Sequence, residues 1–252
     1  YARGKCELKQ TGEKEITFQQ MGGQELCLRL RASVPLKIKK DMVVATFELK
    51  EGETETFVLE SGDATTLIDE FPVQAFKATS NYWRSWIQRS KYRGRWKEMV
   101  NRSALALKLL TSRDYGSIIA APCFGFPNEV GGERNWDYRF TWIRDASFTI
   151  YALMRLGFTD EAKAFMNWLE ERCKQTDCNG NLNIMYKFDG SPIDGEEHLD
   201  HLQGYKNSVP VRVGSTNHDQ VQLDIYGELM DSAYLYDKFG TPVSHFTWNR
   251  LQ

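Results

Sequence analysis

The sequence predicts a multi-domain β + α protein, with antiparallel strands in its first third and helices in the remainder. Short, partly alternating runs of apolar residues, separated by turn clusters, occupy residues 15–59. After about Ala78 the apolar residues recur at helical spacing instead. We therefore expect part of an N-terminal β-sandwich at residues 1–78, a linker helix region at 79–98 and a helical domain at 99–252.

The composition is that of a globular protein with a sizeable core. Hydrophobic residues make up 41% and charged residues 26% of the 252 positions. The net charge of −2 leaves no basic footprint for a nucleic acid. No apolar run approaches the roughly 20 residues that a membrane-spanning helix needs. We expect neither nucleic acid nor membrane as a partner.

Cysteine and histidine usage indicates neither a disulfide framework nor a metal site. The five cysteines are odd in number and scattered, which favours reduced thiols and a cytoplasmic location. Cys173 and Cys178 alone are spaced to meet across a helix end. His198 and His201 form a His-x-x-His pair, but no Cys or acidic pattern completes a zinc site. No metal and no cofactor is expected.

Four strands are predicted in the first third, at residues 15–18, 25–30, 42–49 and 54–59. Glycine-containing turns separate several of them, as at 21–23 and 50–53. This segment contains neither a carboxylate cluster nor a glycine-rich phosphate loop. Structural support is therefore the expected role of the β region.

Five helices are predicted in the remainder, at residues 82–87, 95–110, 145–156, 162–174 and 219–239. Gly157 suits the left-handed position that ends the third, and Thr159 begins a cap for the fourth. Long irregular stretches lie between helices, notably 176–216. Because loops of that length are usually functional, we expect them to form a pocket at one end of the helices.

Residues 134–145 concentrate aromatic rings, arginines and aspartates immediately before a helix. Sugars suit this mixture, since their C–H faces stack on rings and their hydroxyls pair with guanidinium and carboxylate groups. Arg144 and Asp145 could equally cap the next helix while Trp142 packs in the core. Both interpretations stay open on these residues alone.

Several ordered blocks of the chain resemble glycoside hydrolase family 15, the glucoamylase family, in the bacterial and archaeal branch that includes trehalases. The similar blocks are residues 131–149, 152–158, 183–186, 201–214 and 220–228. The resemblance implies an (α/α)6 barrel whose active site lies at the loop-bearing end. It also implies that the first third is part of the preceding β-sandwich. We interpret the chain as an internal fragment, or a partly covered copy, of a larger protein, which supplies only the early barrel helices.

The resemblance also implies which residues bind the substrate. Residues matching Arg144 and Asp145 bind hydroxyls of the non-reducing terminal sugar in that family. Those matching Trp142 and Tyr138 pack on either side of it. Phe140 stands where fungal members carry Tyr, so a hydroxyl contact is lost there. The resemblance leaves three further candidates, each of which could instead brace a loop: Trp136, Arg212 and Gln220.

By the same resemblance, the protein is an inverting, exo-acting α-glucoside hydrolase of glucoamylase type, with an α-linked glucose oligosaccharide or disaccharide as partner. Inversion needs an acid and a base carboxyl about 6.5–9.5 Å apart. The family's Trp-Glu acid and later Glu base are not visible, so we expect both beyond Gln252 and assign no catalytic residue. Asp224 and Glu228 are helical neighbours that cannot flank a bond.

Two alternatives to a glucoamylase-type enzyme remain at this point. One is a trehalase of the same family, and the other is a glucoamylase-like domain that binds or regulates without catalysis. The groups that would discriminate a trehalase from a glucoamylase line the next sugar subsite, and absence of the Trp-Glu motif beyond Gln252 would favour binding over hydrolysis. A homo-oligomer also stays open.

Overall fold

The computed structural model describes residues 6–21, 27–61, 70–175, 182–217, 220–242, 245 and 248–249. The chain forms two compact units, Tyr1–Tyr82 and Trp83–Gln252. Strands form most of the first unit and helices most of the second, and a helix over residues Phe71–Gln88 contributes to both. The candidate site lies wholly in the second.

The first unit is built from antiparallel strands, as the alternating pattern predicted. A four-stranded sheet has the order β1-β2-β3-β6, and β4 and β5 form a separate hairpin. Ile16 and Leu36 are its most deeply buried apolar side chains among the described residues. The strands are β1 Cys6–Gly12, β2 Glu15–Gln20, β3 Cys27–Ala32, β4 Lys37–Lys39, β5 Met42–Val44 and β6 Phe57–Ser61.

Two details of this unit differ from the sequence prediction. Strand β1 was not predicted, because its residues are almost all polar and exposed. The strand predicted over residues 42–49 is limited to Met42–Val44, because its partner β4 is only three residues long. The first residues of the predicted strand 25–30 fall outside the described part of the chain.

Five α-helices and four short strands form the rest of the described structure. In chain order they are α1 Phe71–Gln88, α2 Lys97–Leu109, β7 Thr141–Trp142, α3 Ile143–Leu156, α4 Thr159–Gln175, β8 Met185–Tyr186, β9 Glu196–His198, β10 Arg212–Gly214 and α5 Asp224–Phe239. A 3-10 turn spans Tyr205–Asn207. None of the helices in the described ranges is long and apolar enough to cross a membrane.

The helix ends show which boundaries the sequence pattern predicted correctly and which it did not. Gly157 ends α3 with a φ of 95°, which confirms the predicted left-handed C-terminal position. Helix α1 begins at Phe71, so the change of period expected after Ala78 falls inside it. Helix α4 already includes Thr159. Helix α5 begins at Asp224 instead of residue 219, because Val221 and Leu223 are 81% and 78% exposed and bury no apolar face.

The main core lies where α3 packs against α4 and α5. Apolar side chains from these helices and from β8 fill it, including the fully buried Ile143, Ile150, Phe165 and Met185. This packing holds the N-terminal end of α3, and the loop before it, beside the start of α5.

A buried carboxylate joins α4 to α1 and α2. Glu161, whose side chain is 4% exposed, accepts a hydrogen bond from Trp86 Nε1 at 2.7 Å and pairs with Lys108 Nζ at 3.0 Å. Trp86 stacks on Phe158 with ring centroids 3.9 Å apart. Burial opposes ionisation of Glu161, but the hydrogen bonds from Trp86 and Lys108 outweigh it and hold the pKa of this carboxyl below its ordinary value.

The structure describes only some of the cysteine and histidine residues on which the sequence predictions rest. Cys178 lies outside the described residues, so its contact with Cys173 is not observed. His198 Nε2 lies 3.3 Å from Glu196 Oε1. Within the ranges that the structure covers, no group of three or more His, Cys, Asp or Glu side chains could hold a metal ion.

Candidate functional site

A cavity of about 290 Å³ lies at the N-terminal end of α3. Two segments far apart in the sequence form most of it, one before and within the first turn of α3 and one directly after β10. Its lining residues are Ala120, Trp136, Asp137, Tyr138, Trp142, Arg144, Asp145, Gly214, Ser215 and Asn217. The structure thus brings together Tyr138, Trp142, Arg144 and Asp145, with Trp136 beside them.

The passage from β7 into α3 places the arginine and aspartate at the cavity. Trp142 pairs with Met185 in β8, and the backbone N–H of Ile143 donates to the carbonyl of Ile184 at 3.1 Å. Arg144 and Asp145 follow at once in the first turn. Trp142 is the N-cap residue, and no side-chain hydrogen bond caps this helix end. Both charged side chains line the cavity, so helix capping does not explain them.

Contacts from both sides fix the guanidinium of Arg144. Its Nη1 donates to Gln222 Oε1 at 2.9 Å and to Asp224 Oδ2 at 3.1 Å. Its Nη2 lies 3.7 Å from Asp145 Oδ2. The guanidinium carbon is 5.8 Å from the centre of the Trp142 ring. Arg144 is therefore held between two carboxylates, and the Asp145 carboxylate remains half exposed at the cavity.

Backbone pairing places Tyr138 in the lining. Its N–H donates to the carbonyl of Cys123 at 3.1 Å, and its carbonyl accepts from Ala121 at 3.0 Å. The Tyr138 hydroxyl donates to Asn128 Oδ1 at 3.4 Å. Phe140, two residues later, is only 8% exposed and packs in the core instead. Residues 136–138 of this segment therefore line the cavity, while Phe140 packs in the core.

Asp137 was not predicted, although it connects the two halves of the cavity. Its side chain is 0% exposed. Oδ1 accepts from Arg139 Nε at 2.8 Å and from the Arg139 backbone N at 3.1 Å. Oδ2 accepts from Arg139 Nη2 at 2.8 Å and from the backbone N of Gly214 at 3.0 Å. All four donors therefore hold this carboxylate as an anchor between the motif loop and β10.

The three further candidates differ in their relation to the cavity. Trp136 lines it directly. Arg212 does not, and its guanidinium carbon instead lies 4.7 Å from the centre of the Trp136 ring, with Nε 3.6 Å from Glu196. Gln220 is not a lining residue either, but its Nε2 donates to Asn217 Oδ1 at 3.1 Å. Arg212 and Gln220 thus reach the cavity through another side chain.

Ser215 and Asn217 are lining residues that the sequence did not single out. The Ser215 backbone N–H donates to the carbonyl of Gly195 at 3.0 Å, which fixes the turn after β10. The only available signal was their place at the end of the long irregular stretch 176–216 or just beyond it. Such a place indicates a region of the site but does not identify an individual residue.

The lining suits a small polyhydroxylated ligand. Aromatic rings of Trp136, Tyr138 and Trp142 offer apolar faces, while Arg144 and Asp145 offer a donor and an acceptor side by side. Asp137 already accepts four hydrogen bonds and holds the cavity wall together. Arg144 and Asp145, which lie side by side at the cavity, are the charged groups arranged to bind and orient a ligand.

Comparisons with known proteins identify similar sequences. Residues 94–252 match the family described as glycosyl hydrolases family 15. A trehalase of Thermoplasma acidophilum is 39% identical over 69% of the chain and 29% of its own length. A trehalase of Thermoplasma volcanium is 40% identical over 69% of the chain and 27% of its own length. A trehalase of Mycolicibacterium smegmatis is 36% identical over 89% of the chain and 34% of its own length.

The chain spans about a third of the length of these curated relatives. No solved structure matches it significantly.

Proposed function

Because the chain belongs to glycosyl hydrolases family 15, we propose that the whole protein is a glycoside hydrolase acting on trehalose. The observation that carries this proposal is the trehalase name shared by relatives 36–40% identical to the chain. The cavity then holds one glucose unit of the disaccharide. This chain supplies a large part of the wall of that glucose site.

The proposed sugar contacts follow from the chemistry of the lining. Arg144 and Asp145 form charge-assisted hydrogen bonds with adjacent hydroxyls, which fixes the orientation of the ring. Trp142 and Tyr138 cover the apolar C–H faces, with Trp136 at the margin. Arg212 acts on this surface indirectly, by holding the Trp136 ring.

The proposed reaction is hydrolysis with inversion. A protonated carboxyl donates its proton to the glycosidic oxygen while a carboxylate removes a proton from the attacking water. We assign neither role to this chain, because Asp137 is engaged by four donors and Asp224 is paired with Arg144. The remainder of the protein is proposed to provide both groups. Inversion at one carbon of α,α-trehalose releases one β-glucose and one α-glucose.

We further propose that the helices belong to an (α/α)6 barrel and the strands to a preceding β-sandwich. The proposed domain bounds are 1–78, 79–98 and 99–252. The N-terminal end of α3 and the loops beside it then belong to the loop-bearing end of the barrel. This is the end that carries the cavity.

A glucoamylase-type enzyme is the second candidate. The residues that hold a terminal glucose serve an α-glucan as well as trehalose, and the names of the relatives favour trehalose. A regulatory domain without catalysis is the remaining outcome. Glucose binding without turnover of any α-glucoside would indicate that role.

The test is hydrolysis by the complete purified protein. Trehalose, maltose and isomaltose are supplied separately, and the anomers are followed by proton NMR during the first turnovers. We expect trehalose to be the best substrate, with equal initial amounts of α- and β-glucose. Preference for maltose would replace trehalase by glucoamylase-type activity, and only α-glucose from trehalose would contradict inversion.

Asp145→Ala tests the pocket itself. Loss of a hydrogen bond to a charged group costs about 1.5–3 kcal/mol, so kcat/KM should fall about 10- to 150-fold. Asp114→Ala, a change at an exposed aspartate that does not line the cavity, is the control and should leave kcat/KM unchanged. Unaltered turnover and saturation in Asp145→Ala would refute the proposed sugar site.

A further inference from the structure

A chain of side-chain amides leads from Arg144 to another residue of the cavity lining. Arg144 Nη1 donates to Gln222 Oε1 at 2.9 Å, and Gln222 Nε2 donates to Gln220 Oε1 at 3.4 Å. Gln220 Nε2 donates in turn to Asn217 Oδ1 at 3.1 Å. We call Gln222, Gln220 and Asn217 the amide relay. The relay starts from Arg144 and ends at Asn217, and both of these residues line the cavity.

The direction of the relay is fixed at Arg144. A guanidinium group can only donate, so Gln222 must turn its carbonyl oxygen towards it. An amide that accepts at one end has only its N–H groups for the next neighbour. The same orientation is therefore imposed on Gln220 and then on Asn217. Reversal of any one amide would place two donors or two acceptors face to face.

This direction leaves a donor at the cavity. Asn217 uses Oδ1 to accept from Gln220, and its backbone N–H donates to Ser215 Oγ at 3.1 Å. No acceptor for Asn217 Nδ2 is found among the residues that the structure describes. As far as the described residues go, its two N–H groups are available to a ligand, and an amide in a partly closed cavity gains from such a bond.

We infer that Asn217 binds the substrate sugar as a hydrogen-bond donor, and that Gln222 and Gln220 are positioning residues that set its polarity from Arg144. The inference rests on the proposed function and deepens it. The group that Asn217 selects is an oxygen with a free lone pair, as in a glucose hydroxyl. Arg144 and Asn217, which are 73 positions apart in the sequence, then act as a pair of donors that the relay couples.

Two substitutions at Gln222 in the complete protein separate this role from simple support of Arg144. Gln222→Glu keeps an acceptor for Arg144 but has no N–H for Gln220, while Gln222→Met removes both contacts. The relay predicts that both variants weaken glucose binding, measured by calorimetry, about three- to tenfold. If only Gln222→Met weakens binding and Gln222→Glu does not, Gln222 merely supports Arg144 and the relay is refuted.

A double variant gives a second, independent measurement. With Asn217→Ala in place, Gln222→Glu should weaken glucose binding no further, because the relay has lost its end. Losses that multiply in the double variant would contradict coupling. Gln203→Met is the matched control, since this exposed glutamine bonds to Asn207 and does not line the cavity. It should leave the affinity unchanged.

The outcome also separates the relay from the proposed function. Trehalose turnover, and its loss in Asp145→Ala, test the function without reference to the amides. Turnover that depends on Asp145 but not on the nature of residue 222 overturns only the relay. Absence of both glucose binding and trehalose turnover in the unaltered protein overturns both proposals.

Discussion

Replacement of Asp137 should both destabilise the second unit and weaken sugar binding. In Asp137→Asn, the amide oxygen can occupy the place of only one carboxylate oxygen. Either Arg139 Nε and the Arg139 backbone N, or Arg139 Nη2 and Gly214 N, then face an NH₂ group. At least one charge-assisted and one neutral hydrogen bond become donor–donor contacts.

The magnitude follows from those two lost contacts. A hydrogen bond to a charged group contributes about 1.5–3 kcal/mol and a neutral one about 1 kcal/mol, so Asp137→Asn should cost about 2.5–4 kcal/mol of unfolding free energy. Asp137→Ala removes the acceptor of all four hydrogen bonds, including those from the partly buried guanidinium of Arg139, and should cost about 3–5 kcal/mol. Glucose affinity should fall in Asp137→Ala, because Gly214 then loses the acceptor that holds the Ser215–Asn217 segment against the motif loop. It should fall in Asp137→Asn as far as the amide turns its NH₂ group towards Gly214.

Urea unfolding of the complete protein, followed by tryptophan fluorescence, measures the first effect, and calorimetric titration with glucose measures the second. Asp114→Asn, at an exposed aspartate, should change the unfolding free energy by less than about 0.5 kcal/mol. An Asp137→Asn variant as stable as Asp114→Asn, with unaltered glucose affinity, would refute the anchoring role.

Two further predictions concern the helical packing and the turn after β10. The pKa of Glu161 is lowered in the folded state, so the ionised side chain stabilises the fold. This contribution is complete above the ordinary glutamate pKa of about 4.3 and is lost as the pH falls through the lower folded value. Glu161→Gln should therefore lower the free energy of unfolding by about 1.5–3 kcal/mol at pH 7. In urea titrations at acidic pH, the difference in unfolding free energy between this variant and the unaltered protein should narrow. A difference that does not depend on pH would contradict this. Gly214→Ala should be strongly destabilising, since its φ is +92° and the new Cβ would lie 1.9 Å from the Gly195 carbonyl oxygen. Gly131→Ala, at φ +83° with open space around the new Cβ, should be destabilised only by the roughly 1–2 kcal/mol of backbone strain. Thermal unfolding measures both variants, and equal destabilisation of Gly214→Ala and Gly131→Ala would be inconsistent with the clash.

The elements that the sequence predicted correctly are those whose signal is local. The end of α3 could be placed because Gly157 alone suits a left-handed residue beside an apolar helical pattern. The β2 strand could be placed because it alternates around the buried Ile16. In both cases the information lies within a few residues of the element.

Features that depend on distant partners could not be predicted in this way. The length of β5 is set by β4, and α5 begins later than predicted because the folded chain offers no buried face for Val221 and Leu223. Asp137 appeared as one more polar residue of a motif, because its distinguishing partner, Gly214, is 77 positions away. The motif in the sequence located one wall of the candidate cavity, while the second wall, at the turn after β10, could be identified only in the folded chain.

The division of the cavity between two distant segments has a thermodynamic consequence. An occupant that touches both Asp145 and Asn217 connects the α3 end to the turn after β10, and this connection exists only when the second unit is folded. Under the proposed function, sugar binding and folding are therefore linked equilibria. At a ligand concentration 100 times Kd, a sugar bound in this cavity adds about 2.7 kcal/mol to the stability of the folded state. The proposed ligand would thus act as a reversible cross-link between two segments that the sequence keeps far apart.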